Sequence, residues 1–325
     1  MVETAAQEAT VWTRGRSLAD VLEAYGIYVA LVLVLIAAGL LSPAFYQPAN
    51  IFNILRQASA LGILSVGQTI VMIGGGIDLS VAAVMQLVTV GVAEIAKGRD
   101  EGVIAAVVIM LVLSMIVGWV NGLLVTQRRV APFVATLFVG VVVTGARQVY
   151  TQATPSGSLP PLIRLIGRDS TGPLPNAAII FLLLALIAAI VLRKTTFGRR
   201  LYAVGGNAEA ARLAGIAVNT VRLITYVVCS LLAGVAGLVL AGYVGYADQW
   251  IGRGYDLDSI AAVVIGGTSL AGGRGGIGGT LAGVLLVTVL LNLVLLLNLN
   301  VQWQLVVKGI VIILAVALYS MRHRG

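Results

Sequence analysis

The sequence predicts an all-α, polytopic membrane protein with about ten transmembrane helices and discontinuous, glycine-rich helix junctions. Three observations carry this. The 325 residues are 59% hydrophobic and 10% charged, whereas a soluble domain is nearer a quarter charged. Several apolar runs reach or approach the roughly 20 residues that cross a bilayer as helix. Ten-residue alternating patterns, the mark of a membrane barrel, are absent.

The apolar runs lie near 25–41, 58–75, 79–96, 103–125, 132–150, 176–192, 220–246, 259–271, 276–297 and 303–320. They read as one transmembrane domain, 25–320, between an N-terminal segment, 1–24, and a short tail, 321–325. The N-terminal segment carries Glu3, Glu8, Asp20 and Glu23, which is not the composition of a cleavable signal peptide. Ser17 with Asp20 resembles a capping box opening a short amphipathic helix ahead of the first span.

An even number of spans puts both termini on one side. That side then holds Arg14, Arg16, Arg128, Arg129, Arg193, Lys194, Arg199, Arg200, Arg212, Arg222, Arg274, Arg322 and Arg324. The other holds Arg56, Lys97, Arg99, Arg147, Arg164, Arg168 and Arg253. Thirteen against seven places the termini, and the 193–219 loop, in the cytoplasm. The same bias explains the net charge of +8 without nucleic acid. The longest outer loop, 151–175, holds five of the eight prolines, which favours turns and extended backbone. Within it, Leu162, Ile163, Leu165 and Ile166 suit a short interfacial helix.

Catalytic and metal chemistry find little material. Cys229 is the single cysteine and His323 the single histidine, so a His/Cys metal site and Ser-His or Cys-His catalysis are excluded.

Three regions carry polar chemistry inside the apolar pattern. In GQTIVMIGGGIDLS (67–80), Gly74, Gly75 and Gly76 end one apolar helix and Asp78 opens the next. A carboxylate there is costly and marks function by default, and broken helices in transporters line the substrate path. The plain structural alternative is that Asp78 caps the third span. In IGGTSLAGGRGGIGG (265–279), Gly273, Gly275 and Gly278 match a dinucleotide fingerprint, but no acid follows Asp258 and the flanks are membrane-length apolar runs. This reads instead as a tight turn with close helix packing through small residues. Segments 71–79 and 263–270 share a loose V-x-I-G-G…L pattern. The third set is Gln68, Gln86, Asn121, Thr136, Thr144, Thr268 and Asn292, uncharged groups suited either to interhelical hydrogen bonds or to hydroxyl-rich cargo. From these regions the candidate path or gate residues are Gln68, Gly74, Gly75, Gly76, Asp78, Ser80, Asn121, Thr136 and Thr268.

A fourth feature lies in the polar loop TTFGRRLYAVGGNAEAARLAG (195–215). Asn207 stands as a helix N-cap, Glu209 follows in the first turn, and Gly215 stands where a helix ends in the left-handed region. Between them the sequence predicts a short capped helix of about two turns. A membrane domain has little need of such a piece for its own stability, and it reads as a handle for a soluble partner.

Three blocks together resemble the permease subunits of bacterial ATP-binding-cassette importers for ribose, xylose, arabinose and galactosides: GGGIDLSVAAV (74–84), TTFGRRLYAVGGNAEAARLAGI (195–216) and YDLDSIAAVVIGGTSLAGGRGGIGGTLAG (255–283). Ala82 stands where that family usually has glycine, and its methyl would crowd the junction. The resemblance implies an importer-permease fold in the bacterial inner membrane. It implies that the handle is a coupling helix seated on a cytoplasmic ATPase, with Gly206, Asn207, Glu209, Ala210, Ala211, Arg212, Leu213 and Gly215 at that contact. It further implies a second permease copy or paralogue, a periplasmic sugar-binding protein, surrounding lipid, and no cofactor on this chain, ATP and Mg being used by the partner ATPase. Rival readings are a secondary transporter driven by an ion gradient, with Asp78 and Glu94 as its carboxylates, and an ATP-driven permease for a polyol, nucleoside or branched-chain amino acid.

Overall fold

The structure is a computed structural model that describes residues 18–155, 157–300, 302–306, 309, 310 and 313. Its helices are α1 (Leu18–Leu41), α2 (Pro48–Ile73), α3 (Val81–Ala96), α4 (Val103–Thr126), α5 (Pro132–Thr151), α6 (Pro161–Gly167), α7 (Asn176–Lys194), α8 (Thr196–Gly206), α9 (Ala208–Leu213), α10 (Val218–Val244), α11 (Tyr255–Ile265) and α12 (Ile277–Leu296). A two-stranded antiparallel hairpin, β1 (Ser170–Thr171) and β2 (Leu174–Pro175), turns at Gly172 between α6 and α7.

Among the described residues, six helices are long and apolar enough to cross a membrane: α2, α4, α5, α7, α10 and α12. The apolar part of α1, Gly26–Leu41, and the whole of α3 are shorter apolar helices. The expected count of about ten is therefore not reproduced. The eighth expected span, 259–271, becomes the 11-residue α11, because its glycines stop the helix early. The tenth, 303–320, falls largely outside the described residues, as do Ser17 and the tail. From Leu18 the chain runs as one unbroken helix into the first span.

Burial sorts the helices. The most apolar stretch of α2 is 83% buried, against 28% for those of α4 and α5. Helix α10 packs against α4, α2, α3 and α6, and α12 packs against α11, α2 and α1. The outward faces of α4, α5 and α7 show Ile104, Phe138 and Leu186, an apolar wall suited to lipid. Contacts between buried helices follow the small-residue logic of membrane packing. A Cβ on Gly118 of α4 would lie 2.5 Å from the Tyr226 carbonyl oxygen of α10. Polar ties accompany them. Asn50 and Asn292 exchange two amide hydrogen bonds, at 3.2 and 2.9 Å, joining α2 to α12. Thr69 and Thr280 share a hydroxyl hydrogen bond at 2.6 Å.

The short helix expected within the long loop is α6. It docks through Ile163, 1% exposed, and through a close approach of Gly167 to the Tyr243 backbone of α10. At the other end of the bundle lie the C-terminal ends of α2 and α11, the α4–α5 turn and the α8–α9 segment.

Candidate functional site

The handle is formed as the residues dictate. The Asn207 side-chain oxygen accepts hydrogen bonds from the amides of Glu209 (3.0 Å) and Ala210 (2.9 Å). At the far end Gly215 adopts φ +78. Its amide donates to the Arg212 carbonyl, and the Ile216 amide donates to that of Ala211, both at 3.0 Å. This is a Schellman ending. Glu209 and Arg212 form an exposed pair at 2.6 Å. Asn207→Ala should cost α9 about 1 kcal/mol, visible as faster hydrogen exchange at the Glu209 and Ala210 amides; unchanged exchange would remove the cap from the account.

Not all of the handle faces outward. Ala211 is 3% exposed and belongs to the core, whereas Ala210 is exposed. Leu213 is 83% exposed, a bare leucine at the tip of a polar segment.

Helix α8, which carries the handle, is absent from the sequence reading. Thr195 caps it, its hydroxyl oxygen accepting from the Gly198 amide at 3.3 Å, and Leu201 and Val204 are fully buried. The spacing Phe197, Leu201, Val204 was the available signal for an amphipathic helix. Gly205, near its C-terminus, presses into the rest of the bundle. A Cβ on Gly205 would stand 1.8 Å from the Ile73 carbonyl oxygen and 2.6 Å from the Gly273 nitrogen. The Gly273 amide donates to that same Ile73 carbonyl at 2.9 Å. The Tyr202 hydroxyl donates to the Gly275 carbonyl at 2.8 Å, and Arg222 Nε to the Gly74 carbonyl at 3.1 Å. The root of the handle is thus knotted to both glycine junctions.

Those two junctions are built alike. At the end of α2, the Gly75 amide donates to the Met72 carbonyl and the Gly76 amide to that of Val71. At the end of α11, the Gly267 amide donates to the Val264 carbonyl and the Thr268 amide to that of Val263. Gly75 and Gly267 both sit at positive φ, +79 and +87. The shared V-x-I-G-G pattern is therefore one structural device used twice. Within the second, a Cβ on Gly279 would meet the Gly266 carbonyl oxygen at 1.9 Å, the close packing expected of the 265–279 turn.

Beyond the first junction lies a fully buried polar cluster. One carboxylate oxygen of Asp78 accepts from the Ser80 amide (2.8 Å), the Ser80 hydroxyl (2.6 Å) and the Asn121 amide nitrogen (3.4 Å). The Asn121 amide nitrogen also donates to the Ser80 hydroxyl at 2.8 Å. The Leu79 amide donates to the Thr136 hydroxyl at 3.0 Å. With its amide turned to satisfy its neighbours, Gln68 bridges the Asp78 backbone, donating to the carbonyl at 3.2 Å and accepting from the amide at 3.3 Å. Gln68, Asp78, Ser80, Asn121 and Thr136 are all 0% exposed. Five of the residues read as a path are thus brought together, but as a fastening of the broken helix to α2, α4 and α5. Asp78 does assist the start of α3, through Ser80. Thr268 is apart, packed against Gly275 in the second junction. Ala82 is accommodated, buried in an α3 that begins cleanly at Val81.

Gly74, Gly75 and Gly76 line a cavity of about 540 Å³ on the handle side, with Arg129, Arg212, Arg222 and Tyr226. Sequence reading also missed Arg147 on α5. It is 3% exposed, and its Nη2 donates to Gln86 Oε1 and the Gln249 carbonyl, each at 3.4 Å. Read as a topology charge, it is instead a buried tie between α5, α3 and the loop after α10.

Comparison with known proteins gives this architecture its family. The model of a protein family described as "Branched-chain amino acid transport system / permease component" matches residues 50–316. The chain is 42% identical over 301 residues to the ribose import permease protein RbsC of Bacillus subtilis (strain 168), covering 92% of this chain and 93% of that one. It is 41% identical over 292 residues to the ribose import permease protein RbsC of Escherichia coli (strain K12), covering 89% and 91%. To the galactose/methyl galactoside import permease protein MglC of Escherichia coli (strain K12) it is 30% identical over 316 residues, covering 92% and 94%. No solved structure matches the chain at a significant level. A helical bundle with six membrane-length helices among its described residues, matched by that model over most of its length, belongs to this permease-component family: the chain is a multi-pass membrane transport subunit and not an enzyme.

Proposed function

We propose that this chain is the membrane-spanning subunit of an ATP-driven monosaccharide importer of the inner membrane, with both termini in the cytoplasm. It works beside a second permease copy or paralogue, a cytoplasmic ATPase and a periplasmic sugar-binding protein. The observation that carries the reading is the handle: a capped helix with a bare leucine, rooted by close backbone contacts in both broken-helix junctions. A push on α9 is delivered through Gly205 to the end of α2, and from there to the Asp78 joint. ATP binding in the partner then biases outward- against inward-open states by differential contact with the handle.

Cargo follows from the relatives. The matching family model is described by branched-chain amino acids, but ribose permeases at about two-fifths identity span nine-tenths of this chain. Ion-gradient transport finds no support among the relatives, which are described as import permeases or ABC transporter permeases.

Reconstitution with the cognate ATPase and binding protein tests the whole reading: ribose uptake should require ATP and both partners. Uptake that persists without the ATPase would defeat it. Leu213→Ala should weaken ATPase binding about tenfold, the scale of an interface anchor. Ala210→Glu should also impair coupling, while a charge at buried Ala211 would disturb this chain's own packing. Crosslinking from Ala210→Cys to the ATPase locates the contact; normal ATPase affinity in Leu213→Ala would take the leucine out of it.

A further inference from the structure

We propose that the cavity beside the handle is a binding site for a phosphorylated sugar or polyol, and that its occupation restrains the handle. The cavity, about 540 Å³, lies in the range of small-molecule sites. Three arginines from three separate elements line it: Arg129 from the α4–α5 turn, Arg212 from α9 and Arg222 from α10. Among the described residues, no aspartate or glutamate lines it. Arg212 is engaged by Glu209 in an exposed pair, of the kind that contributes little and yields readily to a stronger anion. Arg222 uses Nε on the Gly74 carbonyl, which fixes the guanidinium and leaves its terminal nitrogens for a ligand. Helix α10 starts without a side-chain cap, and Asn219 of its first turn lines the same space, so a helix dipole adds to the positive field.

The inner wall has a different character. Tyr226 is 1% exposed, lines the cavity, and its hydroxyl lies near the Ile77 backbone without completing a hydrogen bond. Beside it runs the main chain of Gly74–Gly76. A rim of guanidinium groups with a hydroxyl and peptide floor fits a ligand with a phosphate at one end and hydroxyls at the other. Arginine forks suit phosphate oxygens; a neutral sugar can accept bonds from them but brings no charge to match.

Such a ligand would tie α9 to α10 and to the end of α2, the surfaces that a working handle must move against one another. Phosphorylation is also the class of reaction that consumes a neutral sugar after entry, so its product would report that import has outrun use. That regulatory sense rests on the sugar-import reading, whereas the binding itself does not. The same chemistry exists in two sources, a soluble sugar phosphate and the glycerol-phosphate headgroup of an anionic lipid.

The test uses the full chain in nanodiscs of phosphatidylcholine, with or without phosphatidylglycerol, and ribose 5-phosphate, inorganic phosphate or ribose as probes. In phosphatidylcholine, ribose 5-phosphate should raise the melting temperature saturably, inorganic phosphate less and ribose not at all. Arg129→Gln, at an exposed position, should leave the ligand-free melting temperature in place and weaken the apparent affinity about tenfold, one charge-assisted bond's worth. A shift already present in phosphatidylglycerol discs, lost in Arg129→Gln and not increased by ribose 5-phosphate, assigns the headgroup as the ligand and upholds the phosphate site. Absence of any shift in both lipids, an equal shift with neutral ribose, or full affinity in Arg129→Gln would overturn the proposal. Ribose uptake, measured separately with the ATPase and binding protein, shows whether the import reading itself has failed.

Discussion

Gly205→Ala is expected to cut ATP-driven uptake at least about tenfold while leaving the membrane helices assembled. The three nearest atoms its Cβ would meet are all backbone, among them the Ile73 carbonyl oxygen at 1.8 Å and the Gly273 nitrogen at 2.6 Å, so no side chain can swing aside. The root of α8 must lift from α2, and the hydrogen bond from the Gly273 amide to Ile73 is forced open. Overpacking of this kind costs about 1–3 kcal/mol, enough for a tenfold or larger change in the equilibrium that the handle drives. Gly145→Ala on α5 is the control, since nothing lies within 4 Å of a Cβ there. Uptake by the two variants, each normalised to folded protein by size-exclusion chromatography, decides the matter. Equal uptake in both would show that the knot does not transmit motion.

The second large effect is at Asp78. Asp78→Ala removes the acceptor for the Ser80 amide, the Ser80 hydroxyl and the Asn121 amide nitrogen, all in a fully buried site. The Asn121 amide keeps its bond to the Ser80 hydroxyl, but the Ser80 amide and hydroxyl are stranded; at about 1–3 kcal/mol for each stranded buried donor, the loss is a large fraction of the whole stability of a typical domain. Little folded protein is expected. Asp78→Asn keeps an oxygen in the accepting position, and the Ser230 hydroxyl beside the carboxylate can receive the new amide. This variant should fold, with a melting temperature near that of the parent. If its transport is also intact, charge at position 78 plays no part in moving cargo. If Asp78→Ala folds as well as Asp78→Asn, the cluster is not the fastening described above.

Much of this was legible because it is local. Asn207, Glu209 and Gly215 write a capped helix within nine residues, and the backbone obeys. The glycines after Ile73 and Ile265 announce helix ends for the same reason: a left-handed residue satisfies the last carbonyls without reference to the rest of the fold. The membrane class followed from composition alone. What escaped is long-range. Gly205 and Gly273 meet Ile73 across more than a hundred residues of chain, and no pattern around any of them records the meeting. Helix α8 was hidden by its arginines and terminal glycines, which look like loop until Leu201 and Val204 are seen to be buried. The inward turn of Ala211 depends on the rotation of a two-turn helix about its axis, which capping residues do not set. The expected spans and the described helices part where glycine ends a helix inside an apolar run, because hydropathy registers the apolarity and not the stop.

The reciprocal amides of Asn50 and Asn292 carry a consequence for how this chain can vary. Each side chain supplies both what the other gives and what it takes. Replacing Asn50 by leucine strands the buried amide of Asn292, whereas replacing both leaves an ordinary apolar contact. The two positions should therefore drift as a pair through evolutionary time, amide with amide or aliphatic with aliphatic, although 242 positions separate them in the chain.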